Sequence, residues 1–314
     1  MADKGTNAVT VLFCLILNLC SAVLIILLNK TLYTLYGCPN ITLTFIHFLM
    51  TSAGLIICER LNVFQVKILP FRSMLPLALT FCGFVVLTNL SLQSNTVGTY
   101  QLIKTMTTPC IIAIQTFAYS RRFSFHVKCT VIPITLGVLM NSYYDIKFNV
   151  IGIIFAVSGV MVTSLYQVWV AEKQHEFQVN PMQLLFYQAP LSALLLVPVV
   201  PILESPWAHM FSWSFETLAL IFLSGLVAFM VNLSSYWILK ATSPMTYNMV
   251  GHLKFCLTLL GGYVIFQESI QILQVFGIIM TLSGILAYTY FKMEEQKKSH
   301  LPHSVVSFSK GNNS

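Results

Sequence analysis

Long apolar runs separated by short polar breaks fill almost the whole chain. A run of about 20 such residues crosses a bilayer as a helix. In the first half these runs cover approximately 9–29, 40–58, 74–94, 97–119 and 129–144. In the second half they cover approximately 150–171, 182–203, 216–238, 244–266 and 272–291. The pattern predicts an all-α membrane protein with ten transmembrane helices.

The runs also repeat. Asn89-Leu90-Ser91 recurs as Asn232-Leu233-Ser234, Thr99-Tyr100 as Thr246-Tyr247, and Thr135-Leu136-Gly137 as Thr281-Leu282-Ser283. The offsets of 143, 147 and 146 residues each equal one half of the spans. A duplicated unit of five helices must enter the membrane from opposite sides in its two copies. The expected architecture is therefore two inverted five-helix repeats, residues 1–145 and 146–291, with a binding site at the midplane between them. Residues 292–314 are polar and read as a disordered cytosolic tail.

Composition agrees and narrows the class. The 314 residues are 56% hydrophobic and only 9% charged, against about a quarter charged in a soluble domain. The net charge of +7 raises the question of nucleic acid until the positions are read. With the N-terminus in the cytosol, thirteen lysines and arginines fall on the cytosolic side and only Lys30 and Lys147 on the other. That bias places both termini in the cytosol and accounts for the basic balance without a nucleic-acid partner. The first run has no small-residue cleavage pattern behind it and reads as a retained span. The eight cysteines are scattered through apolar runs without metal or redox spacing, as buried free thiols would be.

Two lysines remain inside spans, Lys104 and Lys254. They lie about eight and eleven residues from their span starts, roughly 12 and 16 Å at 1.5 Å per residue, near the middle of a core of about 30 Å. Tyr100 shares a helical face with Lys104, four residues on, and Tyr247 shares one with Lys254, seven residues on. No carboxylate occupies a span centre, so neither a proton relay nor an internal counter-charge is available. An anionic substrate is the natural missing partner, with the lipid bilayer as surroundings. Further candidates are Asn29 and Lys30 at the end of the first span and His47 in the second. Tyr187 and Gln188 in the seventh would suit stacking and edge-bonding of a base. Lys30 could equally snorkel to the surface. Gly98, Gly137, Gly159, Gly251, Gly261 and Gly262 read as points of close helix approach. The chain carries no catalytic constellation, metal spacing or phosphate loop, so neither an enzyme nor a cofactor is expected. A homodimer is left open.

Seven stretches together resemble the nucleotide-sugar/triose-phosphate translocator branch of the drug/metabolite transporter superfamily, solute carrier family 35. They are Leu28-Asn29-Lys30, Phe81-Cys-Gly-Phe-Val85 with Thr88-Asn-Leu-Ser-Leu-Gln93, Gly98-Thr-Tyr-Gln-Leu102 with Lys104, Ile132-Pro-Ile-Thr-Leu-Gly137, Asn141-Ser-Tyr-Tyr-Asp145, Thr163-Ser-Leu-Tyr-Gln-Val-Trp169 and Gly251-His-Leu-Lys-Phe255. The resemblance implies ten spans, Golgi or related membranes, and exchange of a phosphorylated small molecule for a phosphate or nucleoside monophosphate. The expected function is antiport of a nucleotide sugar against a nucleoside monophosphate by alternating access. By the same resemblance Lys104 and Lys254 fall on the fourth- and ninth-span lysines that bind substrate phosphate. Triose-phosphate members follow the latter with arginine, where this chain has Phe255. Gly251-His-Leu-Lys254 and Phe186-Tyr187 match the nucleotide-sugar motifs only in part. Transport of small sugar phosphates and a non-transporting membrane role are the alternatives.

Overall fold

The computed structural model describes residues 8–120, 122–143, 149–204, 213–241, 244–267 and 271–300. The expected boundary between halves at 145/146 and the last fourteen residues of the tail lie outside them.

The described residues form helices and no strands. They are α1 (Ala8–Thr34), α2 (Asn40–Arg60), α3 (Phe71–Ser94), α4 (Val97–Thr105), α5 (Thr107–Phe117), α6 (Phe125–Cys129), α7 (Val131–Tyr143), α8 (Val150–Phe177), α9 (Pro181–Leu203), α10 (Phe215–Ala241), α11 (Pro244–Phe266) and α12 (Ile272–His300). Seven of them are long and apolar enough to cross a membrane, which makes this an all-α multi-pass membrane protein. The other runs read as spans fall on α4 with α5, on α6 with α7, and on α11. The first stretch of the expected tail is helical, because α12 continues to His300.

The two interrupted runs share a cause. Pro109 lacks the N–H that would bond the carbonyl of Thr105, and Pro133 does the same to Cys129. Each interruption falls three residues before its proline, at Met106 and Thr130. Threonine hydroxyls take up neighbouring carbonyls there: Thr107 donates to Lys104 at 2.6 Å and Thr130 to Val127 at 2.7 Å. Proline alone does not suffice, since α9 stays continuous through Pro190, Pro198 and Pro201. That helix starts on a capping box, in which Asn180 and Gln183 each bond the other's backbone N–H at 2.9 Å.

The packings include α1 on α10, α2 on α9, α3 on α8, α4 on α11 and α7 on α12. Each joins an element from before residue 145 to one from after it. Lipid gives apolar side chains no reason to leave it, so polar bonds and close backbone approach must hold such pairs. Asn18 on α1, fully buried, donates to the hydroxyls of Ser234 and Ser235 on α10, both at 2.9 Å. Ser192 on α9 donates to the Ala78 carbonyl of α3 at 3.2 Å. Gly137 on α7 faces the Gly277 carbonyl and Thr281 hydroxyl of α12, where no Cβ would fit. Gly159, Gly261 and Gly262 also meet a neighbouring side chain. Gly251 is different: nothing lies within 4 Å of the place a Cβ would take, and it borders a cavity.

Replacing Gly137 by leucine should destabilise the fold by about 1–3 kcal/mol, the usual scale for overpacking. A lowered thermal unfolding midpoint in detergent, with Gly251→Ala unchanged beside it, is the expected outcome.

Candidate functional site

A cavity of about 550 Å3 lies at the centre of the bundle. Its wall takes residues from α1, α2, α3, α4, α10 and α11, so neither half could form it alone. Lys104 and Lys254 both line it. Lys104 is exposed to this space and stays over the Tyr100 ring, 5.5 Å from its centroid. Its Nζ also donates to the Tyr100 hydroxyl at 3.4 Å. Thr96 caps α4 by accepting from the Thr99 N–H at 3.1 Å, and this fixes the turn that carries Tyr100. The lining contains no carboxylate among the described residues. Such a wall attracts an anion and has none of its own.

A second chamber of about 440 Å3 adjoins the first and shares Phe81, Phe84, Lys104, Val231 and Asn232 with it. It extends to Gln174 and Pro181, where α8 ends and α9 begins. Three aromatic rings, Phe81, Phe84 and Tyr166, border it, with the last two 4.8 Å apart between centroids. Tyr166 donates its hydroxyl proton to Gln188 Oε1 at 2.8 Å. The Gln188 Nε2, fully buried, has no partner among the described residues. The chamber therefore combines apolar faces with an amide donor held in one orientation.

The opposite end is packed among the described residues. Leu92 and Tyr100 border the cavity and also belong to a packed cluster with Leu32, Tyr33, Leu43 and Val97. Just behind it, Lys30 donates to three backbone carbonyls at the end of α3: Leu92 at 2.9 Å, Gln93 at 3.2 Å and Asn95 at 2.5 Å. Those carbonyls carry the negative end of the helix dipole and have no partner within the helix. On the same face Glu204 accepts from the Ile41 and Thr42 N–H groups, at 2.8 and 2.7 Å, at the start of α2.

Of the residues the sequence singled out, Lys104, Lys254, Tyr100, His47 and Asn29 come together around the central cavity. Gln188 lines the second chamber. Tyr187 borders neither, and its hydroxyl donates outward to the Lys67 carbonyl at 3.0 Å. Lys30 is held by carbonyls and does not line the cavity. Tyr247 falls on α11, with its side chain outside the described residues. Sequence reasoning missed Asn89 and Asn232 as lining residues, although the repeated Asn-Leu-Ser drew attention to both. It also missed the ring cluster of Phe81, Phe84 and Tyr166, because aromatic residues in spans look alike whether they pack or line a chamber.

A groove of about 710 Å3 between α4, α7 and α8 is larger than either chamber. It is walled by Ile103, Val138, Leu139, Val157 and Met161 and holds no charged group, so it offers nothing to an anion.

Comparison with known proteins follows the same lines. The sequence profile of the Triose-phosphate Transporter family matches residues 8–289. UDP-xylose transporter 1 of Arabidopsis thaliana is 30% identical, over 93% of this chain and 86% of its own length. GDP-mannose transporter GONST5 of the same plant is 27% identical, over 86% of this chain and 82% of its own. UDP-galactose transporter 1, also from that plant, is 27% identical, over 86% and 83% respectively. A crystal structure at 15% identity superposes with a TM-score of 0.54, covering 87% of this chain and 97% of that one, which is a likeness of fold.

Lys30→Met should cost about 2 kcal/mol of stability, the scale of a charged hydrogen-bonding group lost from buried carbonyls. The thermal midpoint should fall while the folded fraction binds inorganic phosphate as before. A loss of phosphate affinity would instead make Lys30 part of the site.

Proposed function

The chain belongs to the Triose-phosphate Transporter family, within the drug/metabolite nucleotide-sugar transporters, and from that premise we propose that it is an antiporter exchanging a nucleotide sugar for a nucleoside monophosphate. The observation that carries this is the central cavity with two lysines and no described carboxylate, opening into an aromatic chamber with an amide donor. Lys104 and Lys254 hold the phosphates. Phe81, Phe84 and Tyr166 receive the base, and Gln188 bonds its edge. Tyr187, turned outward, takes no part. Phe255, buried and lining the cavity, supplies no second cation beside Lys254. That weighs against a small, doubly charged sugar phosphate and for a longer cargo with a ring to stack. Nucleotide sugars named for the relatives make UDP-xylose the first probe.

The exchange works by alternating access between two inverted five-helix repeats, residues 1–145 and 146–291. The packing supports this reading. Numbering the ten spans in order, α1 on α10 pairs spans one and eight, and α3 on α8 pairs three and six. Exchanging the halves turns each of these into the other. Two on seven, four on nine and five on ten map onto themselves. In this scheme both termini are cytosolic, the protein resides in the Golgi or a related endomembrane, and the second chamber faces the cytosol. It is a transporter and not an enzyme.

In liposomes loaded with UMP, the purified protein should take up UDP-xylose or another nucleotide sugar by counter-flow. Lys254→Ala should lower that uptake at least about tenfold, as expected for losing a charge-assisted bond of 1.4 kcal/mol or more. Uptake of no nucleotide sugar by the wild type would defeat the proposal.

A further inference from the structure

Hydrogen-bond direction on the cavity wall can be read from the acceptors that cannot donate. The Ser224 hydroxyl has one proton, and it goes to the Ile221 carbonyl at 2.8 Å, since a carbonyl only accepts. Toward His47 the same oxygen must therefore accept. With the Ser224 proton on Ile221, the 2.9 Å contact between them runs from the Nε2–H of His47 to Ser224. Two lysines and no described carboxylate share the cavity with this ring, so nothing there would hold an imidazolium. In the neutral ring with Nε2 protonated, Nδ1 is a bare acceptor. It has no partner among the described residues, and His47 lines the cavity.

Two neighbours follow the same logic. Thr44 gives its proton to the Asn40 carbonyl at 2.9 Å, so it accepts from Asn89 Nδ2 at 3.0 Å. Asn232 Nδ2 donates to the Ala228 carbonyl at 3.1 Å. Both amide oxygens are left without a partner among the described residues, in side chains that line the cavity. Each amide retains a second N–H, whereas His47 has only its Nδ1 acceptor left to offer the cavity. Three acceptors, from α2, α3 and α10, thus share a cavity with two cations.

Acceptors beside an anion site suit a cargo with hydroxyl donors next to its phosphate. We propose that His47 is a specificity-determining residue, its Nδ1 accepting a hydrogen bond from a hydroxyl of the sugar carried on the bound anion. Asn89 and Asn232 accept from neighbouring hydroxyls. This rests on the site taking a sugar-bearing phosphate, but it does not require the nucleotide.

The test compares two pairs of probes on the purified full chain: UDP-xylose with UDP, and xylose 1-phosphate with inorganic phosphate. His47→Phe should weaken the sugar-bearing member of a bound pair about tenfold, the scale of a lost hydrogen bond. The sugar-free member should stay within about twofold. His47→Asn, which keeps an oxygen acceptor near the Nδ1 position, should recover much of the difference. Should the phenylalanine variant not fold, Ser224→Ala frees the other tautomer and should weaken only the sugar-bearing probe, by about threefold. Discrimination seen in the sugar-phosphate pair alone, with no nucleotide bound, keeps the His47 role and defeats the nucleotide-sugar reading. Equal loss for both members of a pair, or no loss at all, overturns the His47 role and leaves that reading standing. A wild-type protein that binds neither pair overturns both.

Discussion

An ammonium group in hydrocarbon must be surrounded by oxygen or water, because leaving its hydration shell costs several kcal/mol. Much of this bundle can be understood from how three lysines meet that demand. Lys30 uses the carbonyls at the end of α3, the one place in a helix where backbone oxygens are left over. It thereby fastens α1 to α3 behind a packed apolar cluster. Lys104 and Lys254 instead border an open space, and the helices around them leave it unfilled. Gly251 contributes by withholding a side chain. One type of residue is thus a fastener at the bundle's end and a cavity-lining charge at its centre, and the surrounding oxygen decides which.

The same demand explains the interrupted runs. A membrane helix gives up backbone bonds only where something else takes the freed carbonyls or where they border a cavity. At Met106 and Thr130 a proline removes the bond and a threonine hydroxyl takes a nearby carbonyl. The first of these lies two residues from Lys104, against the cavity wall.

Most of the helical plan was legible because apolar length is a strong signal and each run had one. The interruptions were not, since a proline within an apolar run is compatible with either outcome, as the unbroken α9 shows. At the site, Lys104 and Lys254 stood out because a charge within a span has few bland explanations. Lys30 and Tyr187 look equally chemical in sequence, yet their partners are backbone carbonyls distant in the chain, Asn95 and Lys67, which no local pattern reveals. Asn89 and Asn232 were visible as a repeat but not as wall residues. A mid-span amide can bond its own helix, as Asn232 does to Ala228, or a neighbouring one, as Asn89 does to Thr44, and still line a cavity.

The position of Lys104 next to the Met106 junction has a mechanical meaning. Beyond the junction α4 is a rod of nine residues, about 13 Å long at 1.5 Å per residue. Its far end, Val97, is fully buried in the packed cluster and touches the position of Gly262. A tilt of about 20° at the junction would carry Val97 by roughly 4–5 Å over that length, while the Cα of Lys104, close to the pivot, would barely travel. The charge sits at the fulcrum and the packed cluster at the end of the lever. A cargo held by this lysine could stay gripped while the wall beyond it swings.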